Sequence, residues 1–242
     1  MGQVEVEINF FEDIEWQAET QCGFNSNIGV DVWRINIANQ SIDIERYLTI
    51  LQQEEIARAN RYVQQKDRVR FIASRAGLRL ILAKYLHQDA ADIIFKANAN
   101  KKPYIDGCDL KYNVSHTRDW VLIGIANTDV GVDTEKIDQT FDFPSILPDY
   151  FSPAETVFIG HSPENFFLLW TRKEALTKAT SQGLDENLKQ IPSLGGLQFA
   201  DDSLLLTDKN WSVNSFKLDS LNFGTVVTEQ SSKDLRFFKA DL

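Results

Sequence analysis

The spacing of apolar positions divides the chain into two kinds of segment. From Gly29 to Ala38, Val30, Val32, Ile35 and Ile37 recur near a period of two, with a slip in phase at Trp33 and Arg34, and this predicts the first core strand. Ser41 to Tyr62 switches to a helical period and predicts two short helices broken near Thr49. Lys66 to Leu86 predicts one longer helix. Its apolar face is Val69, Ile72, Ala73, Ala76, Leu80 and Ala83, with Arg68, Arg70, Arg75 and Arg79 spread around the rest. Lys96 to Gly107, rich in Asn and Lys, reads as a loop. Asp109 to Val114 and Trp120 to Ala126 then read as strands flanking a loop, Ser115 to Asp119.

Asn127-Thr128-Asp129 is a hinge by composition, and after it the order of elements partly repeats. A strand from Val130 to Glu135 precedes a helix from Phe166 to Thr180. Further strands are expected near Gly196 to Phe199, Ser203 to Leu206, Ser212 to Leu218 and Gly224 to Glu229. The fold class expected is therefore α+β, with two α/β-type halves: an N-terminal subdomain, 28–127, and a C-terminal subdomain, 128–242. Residues 1–27 alternate acidic and apolar positions, end in the turn-rich Gly23-Phe24-Asn25-Ser26-Asn27, and read as an acidic extension before the first core strand.

Composition narrows the classes of function. A chain of 242 residues that is 43% hydrophobic can bury a substantial core. Its net charge of -10 argues against nucleic acid as a partner. Many of the basic residues fall between Arg58 and Lys111, so a local anion site stays open. Cys22 and Cys108 lack metal-ligand spacing and read as free thiols of a reducing compartment. The first eleven residues do not have the pattern of a signal peptide, and no apolar run approaches the roughly 20 residues that cross a bilayer. A cytoplasmic protein with no membrane partner is expected.

Candidate chemistry centres on Gly131-Val132-Asp133-Thr134-Glu135. Strand side chains alternate, so Asp133 and Glu135 share a face and can reach one ion. The pattern alone says little, because Asp13-Ile14-Glu15 and Asp43-Ile44-Glu45 repeat it. Only the third copy lies on a predicted core strand. On the later helix, Glu174 and Lys178 are four apart and share a face, which fits either an ordinary ion pair or a site facing the strand. The apolar run Phe166 to Trp170 places that helix in the core, where a charged stripe needs partners. Ser115-His116 lacks a nucleophile elbow, and adjacent Ser and His cannot form a triad, so a phosphate contact or a simple turn remains. Lys101-Lys102-Pro103 reads as a turn with two solvated lysines unless Arg58, Arg70 and His116 converge with it on one anion.

Taken in order, Arg58, Arg70, Lys102-Pro103, Asn113-Val114-Ser115-His116, Gly131 to Glu135 and Trp170-Thr171-Arg172-Lys173-Glu174-Ala175-Leu176-Thr177-Lys178 resemble the Sfp-type 4′-phosphopantetheinyl transferases from about residue 30 onward. The resemblance implies a pseudo-twofold pair of similar α/β subdomains with coenzyme A in the cleft between them. It implies Mg²⁺-dependent transfer of phosphopantetheine to a serine of an apo acyl or peptidyl carrier protein, releasing adenosine 3′,5′-bisphosphate, as in holo-acyl-carrier-protein synthesis for fatty acid, polyketide or peptide assembly. Action as a monomer is expected. By position, Asp133, Glu135 and Glu174 would hold the metal. Lys178 would stabilise transferred charge, and Glu174 is similar to the residue proposed as general base. Arg58, Arg70, Lys102, Pro103, Ser115, His116 and Lys178 would bind coenzyme A. The chain departs from the family at Glu55, where some members carry a lysine toward the 3′-phosphate. Two other readings stay open: a coenzyme A or carrier-binding protein without catalysis, and a different Mg²⁺-dependent phosphotransferase.

Overall fold

A computed structural model describes residues 2–27, 29–37, 43–98, 100, 102–183, 186–231 and 234–240, and Lys101 of the expected lysine turn lies outside them. Strand β1 (Gln3–Phe11) opens the chain, followed by the short β2 (Gln17–Ala18) and β3 (Val30–Asn36). Helices α1 (Ile44–Thr49), α2 (Gln53–Ala59) and α3 (Gln65–Leu86) come next, with the break after Thr49 that the periodicity predicts. A hairpin of β4 (Phe95–Ala97) and β5 (Pro103–Ile105) leads to β6 (Lys111–Thr117), β7 (Trp120–Ala126) and β8 (Val130–Lys136). Helices α4 (Leu147–Tyr150), α5 (Pro153–Ile159) and α6 (Pro163–Thr180) precede β9 (Gly196–Asp201), α7 (Asp202–Leu205), β10 (Trp211–Asp219), β11 (Asn222–Glu229) and β12 (Leu235–Ala240).

Apart from the β4–β5 pair, the strands of the described residues form two five-stranded sheets, ordered β2-β12-β3-β7-β6 and β8-β11-β10-β1-β9, in a mixed α+β fold. Helix α3 covers the outer face of the first sheet, where Ile72, Ala73, Ala76 and Ile81 meet Trp33, Ile35 and Ile123. Helix α6 covers the outer face of the second through Ala175, Leu176 and Ala179 against Val4, Val6 and Val213. Between the sheets, Val30, Val32 and Leu122 pack on Val130, Val132, Phe216 and Val226. The sheets touch at their edges too, because the Val132 N–H of β8 donates to Asn113 Oδ1 of β6 at 2.9 Å. Among the described residues no helix is long and apolar enough to cross a membrane.

Four sequence expectations change. Residues 1–27 do not stand ahead of the core: β1 is an interior strand of the second sheet, parallel to β10 and antiparallel to β9. Its acidic and apolar alternation is the mark of a half-buried strand, with Val4, Val6 and Ile8 inside and Glu5 and Glu7 outside. At the other end β12 pairs in parallel with β3, so each terminus completes the sheet built by the opposite half. Residues 202–205 form a helical turn instead of a strand, because Asp201 caps it by accepting from the Ser203 N–H. The 96–107 segment contains the β4–β5 hairpin, and Ser115 and His116 belong to strand β6, which runs on to Thr117 before a tight turn.

Candidate active site

Strand β8 lies at the edge of its sheet with α6 directly over it. Gly131 makes this closeness possible: a Cβ there would stand 2.1 Å from the Ala175 carbonyl oxygen and 2.5 Å from the Ala179 nitrogen, both backbone atoms that cannot swing aside. Helix α6 is started by the Ser162 side chain, which accepts from the Asn165 N–H, and by Pro163 in its first turn. With the helix seated on β8, Glu174 and Lys178 reach the face that carries Asp133 and Glu135. Ligand oxygens of Asp133, Glu135 and Glu174 all lie within 4.8 Å of one another.

Hydrogen bonds knit this group to β6. Asp133 Oδ1 accepts from Lys178 Nζ at 2.6 Å and from Ser115 Oγ at 2.8 Å, and Lys178 Nζ lies 3.4 Å from both Ser115 Oγ and Glu174 Oε2. Asp133 Oδ2, also buried, has no hydrogen-bond partner among the described residues. A buried carboxylate oxygen left alone is costly, and a cation is what such an oxygen accepts. Three carboxyls and one ammonium leave the group short of positive charge. Burial, then the charges of Asp133 and Glu174, push the Glu135 carboxyl up to about 8 against the pull of Lys178. Glu174 moves the same way, through burial and Asp133, opposed by Lys178 and the Trp170 side chain. Burial alone would lower the Lys178 ammonium, but Asp133 and Glu174 outweigh it and hold it above its ordinary value. An all-oxygen set with one unsatisfied oxygen suits a hard divalent cation such as Mg²⁺.

Not every sequence candidate joins this centre. Alternation along β6 sends Ser115 toward Asp133 and the exposed His116 to the opposite face. There His116 lines a cavity of about 240 Å³ with Arg70, Arg118, Tyr62 and Phe71. Arg70 is held by Asp67 at 3.3 Å and Asp119 at 3.4 Å, while Arg58 is exposed with its guanidinium 5.2 Å from the Phe71 ring centre. Lys102 and Pro103 line a different cavity, of about 220 Å³, with Tyr104, Lys111 and Asp129. The conjectured convergence therefore splits in two. Arg118, with a φ of 23° at the β6–β7 turn, joins this cavity, and no periodicity in the sequence marks it. Glu55 has no part in either cavity. It caps α2 by accepting from the Gln52 N–H and is paired with Arg75 and Arg79. The two remaining charges of the helix motif are structural as well: Arg172 donates to Ser215 and the Ser193 carbonyl, and Lys173 pairs with Glu155.

Comparison with known proteins points one way. Residues 129–223 match the family profile described as the 4′-phosphopantetheinyl transferase superfamily, and residues 38–128 match one described as 4′-phosphopantetheinyl transferase, N-terminal. The chain is 32% identical over 165 residues to the 4′-phosphopantetheinyl transferase HetI of Nostoc sp., covering 64% of this chain and 70% of that one. It is 30% identical over 179 residues to the 4′-phosphopantetheinyl transferase gsp of Aneurinibacillus migulanus, covering 72% of this chain and 64% of that one.

Proposed function

The chain belongs to the 4′-phosphopantetheinyl transferase superfamily, and from that membership we propose that this transferase moves the phosphopantetheine arm of coenzyme A to a serine of an apo acyl or peptidyl carrier protein. The observation that carries the reading is the centre of Asp133, Glu135 and Glu174 around Lys178, with Asp133 Oδ2 unpartnered. Asp133, Glu135 and Glu174 are the residues that would hold Mg²⁺. When bound, the ion draws charge from the pyrophosphate oxygens and so eases transfer.

The remaining work falls to the chain's own groups. Lys178, one face of α6 above Asp133, offers an ammonium to a non-bridging phosphate oxygen as negative charge builds there. Ser115 Oγ, now donating to Asp133, sits within reach of the same phosphates. Arg70 and His116, with Arg118, take a terminal phosphate in their cavity, and Arg58 stands beside it. The carrier serine oxygen attacks phosphorus; a new O–P bond forms as the bond to the second phosphate breaks, and adenosine 3′,5′-bisphosphate leaves with the electron pair. The serine proton passes to Glu174, whose carboxylate lies beside Lys178 at this centre. Two related halves, 28–127 and 128–242, would face each other across this cleft in a pseudo-twofold pair, with β1 and β12 exchanged between them. Three strands of each half follow one order, β3-β7-β6 and β8-β11-β10, which supports that arrangement.

Incubation with an apo carrier, coenzyme A and Mg²⁺ should add one phosphopantetheine to the carrier by mass spectrometry. An unchanged mass across a panel of acyl and peptidyl carriers, with coenzyme A still bound, would leave the chain a binding protein.

A further inference from the structure

Lys102 was expected to meet the substrate, but its ammonium is already engaged. Lys102 Nζ donates to the Ala179 carbonyl at 2.9 Å, in the last turn of α6. The final carbonyls of a helix have no partners within it and accept from outside donors, cations best of all. A second donor arrives from the same hairpin, since Asn100 Nδ2 donates to the Ser181 carbonyl at 3.0 Å. At its base the Asn98 N–H donates to the Lys102 carbonyl at 3.0 Å and Asn98 Oδ1 accepts from the Lys102 N–H at 2.9 Å. Asn100 and Lys102, between β4 and β5, thus close the end of α6, although the bonded residues are 77 and 81 positions apart. The carbonyl that Lys102 holds belongs to the residue directly after Lys178.

We propose that Lys102 is a positioning residue, which clamps the last turn of α6 and so fixes Lys178 against Asp133 and Glu174, instead of binding phosphate with its own ammonium. The proposal rests on the transferase reading of the site. It follows that the hairpin controls the geometry of the reacting end of α6 and that coenzyme A meets this hairpin through groups other than the Lys102 ammonium.

The test compares Lys102→Met, Lys102→Arg and Asn100→Ala in the full chain, by steady-state transfer and by amide hydrogen exchange over residues 176–182. Lys102→Met should lower kcat about tenfold while the KM for coenzyme A stays within about twofold, the signature of lost transition-state geometry. Exchange over 176–182 should quicken. Lys102→Arg, which keeps a donor, should restore most of kcat, and the exposed Asn100→Ala should shift kcat the same way by about threefold. A rise in KM at constant kcat, together with a smaller preference for coenzyme A over its 3′-dephospho form, would make Lys102 a ligand contact and overturn the proposal. Unchanged exchange would overturn it too. Failure of the unaltered protein to transfer to any carrier would defeat the transferase reading instead, and the exchange result would still decide the clamp.

Discussion

Helix α6 carries two buried carboxylate–lysine groups on its two sides, and they differ in one respect. At Lys173 everything is satisfied: Nζ lies 3.0 Å from Glu155 and donates to the Leu188 and Ile191 carbonyls, while Glu155 also accepts from Ser193 Oγ and the Ser152 N–H. Both side chains are almost wholly shielded, at 0% and 3% exposure. At Lys178 three carboxyls share one lysine whose side chain is 31% exposed, and an Asp133 oxygen is left over. The first group is a closed clamp that pins α5 and the segment after α6 to the helix. The second has the same chemistry left incomplete, open to solvent and short of a cation. Adjacent residues of one motif, Lys173 and Glu174, belong to opposite cases. Completeness of partnering, more than residue type, separates a structural ion pair from a site.

The largest test of this contrast is Asp133→Asn, which should cut transfer by about 10³-fold or more, with the melting transition kept, because the lost charge served the site and not the core. Mass spectrometry of the carrier and a thermal melt check both halves of that statement. Lys173→Ala should do the reverse. It leaves the Glu155 charge buried and alone, at a cost of about 3–5 kcal/mol measured by denaturant midpoint. Adding Glu155→Gln to Lys173→Met should destabilise less than Lys173→Ala, since no charge is then stranded. Gly131→Ala comes next. Its Cβ forces α6 off β8, and about 1–3 kcal/mol of stability should go, together with weaker Mn²⁺ or Mg²⁺ binding by calorimetry. Gly23→Ala is the control, since its Cβ would meet nothing within 4 Å.

A further effect is one of pH. Glu135 rises from an ordinary 4.5 to about 8 in the folded, metal-free protein, so between those values the folded state keeps a proton that the unfolded chain has lost. Metal-free stability should therefore decline as pH climbs from about 4.5 to 8 and flatten above. Saturating Mg²⁺ displaces the proton and should remove that slope. Denaturant midpoints across pH, with and without the ion, measure it. A slope unaffected by Mg²⁺ would place Glu135 outside the metal set.

Much of this could be read along the chain. The helical periods that predicted α3 and α6, and the alternation that predicted β8, are local properties, so the shared face of Asp133 and Glu135 and that of Glu174 and Lys178 were visible in advance. What misled was local chemistry with more than one outcome. The charges of residues 1–27 hid a strand whose buried half is Val4, Val6 and Ile8. Arg79, read as one arginine on the polar side of α3, is fully buried because Glu55 and the Ala90 and Ile93 carbonyls receive it. Ser115 and His116 are neighbours in a motif, but strand geometry sends them to opposite faces.

Sequence by itself thus determined the family, through motifs in order, and the periodic elements that place carboxylates and a lysine on facing surfaces. Only the tertiary structure decided that β1 completes the second sheet and β12 the first, that Lys102 holds the end of α6, and that Glu155 answers Lys173 while Asp133 keeps an oxygen unpartnered. The physical reason is that periodicity states which face of an element is buried but not what it is buried against. Whether a charge finds its partner depends on residues brought near by the fold, often from far along the chain.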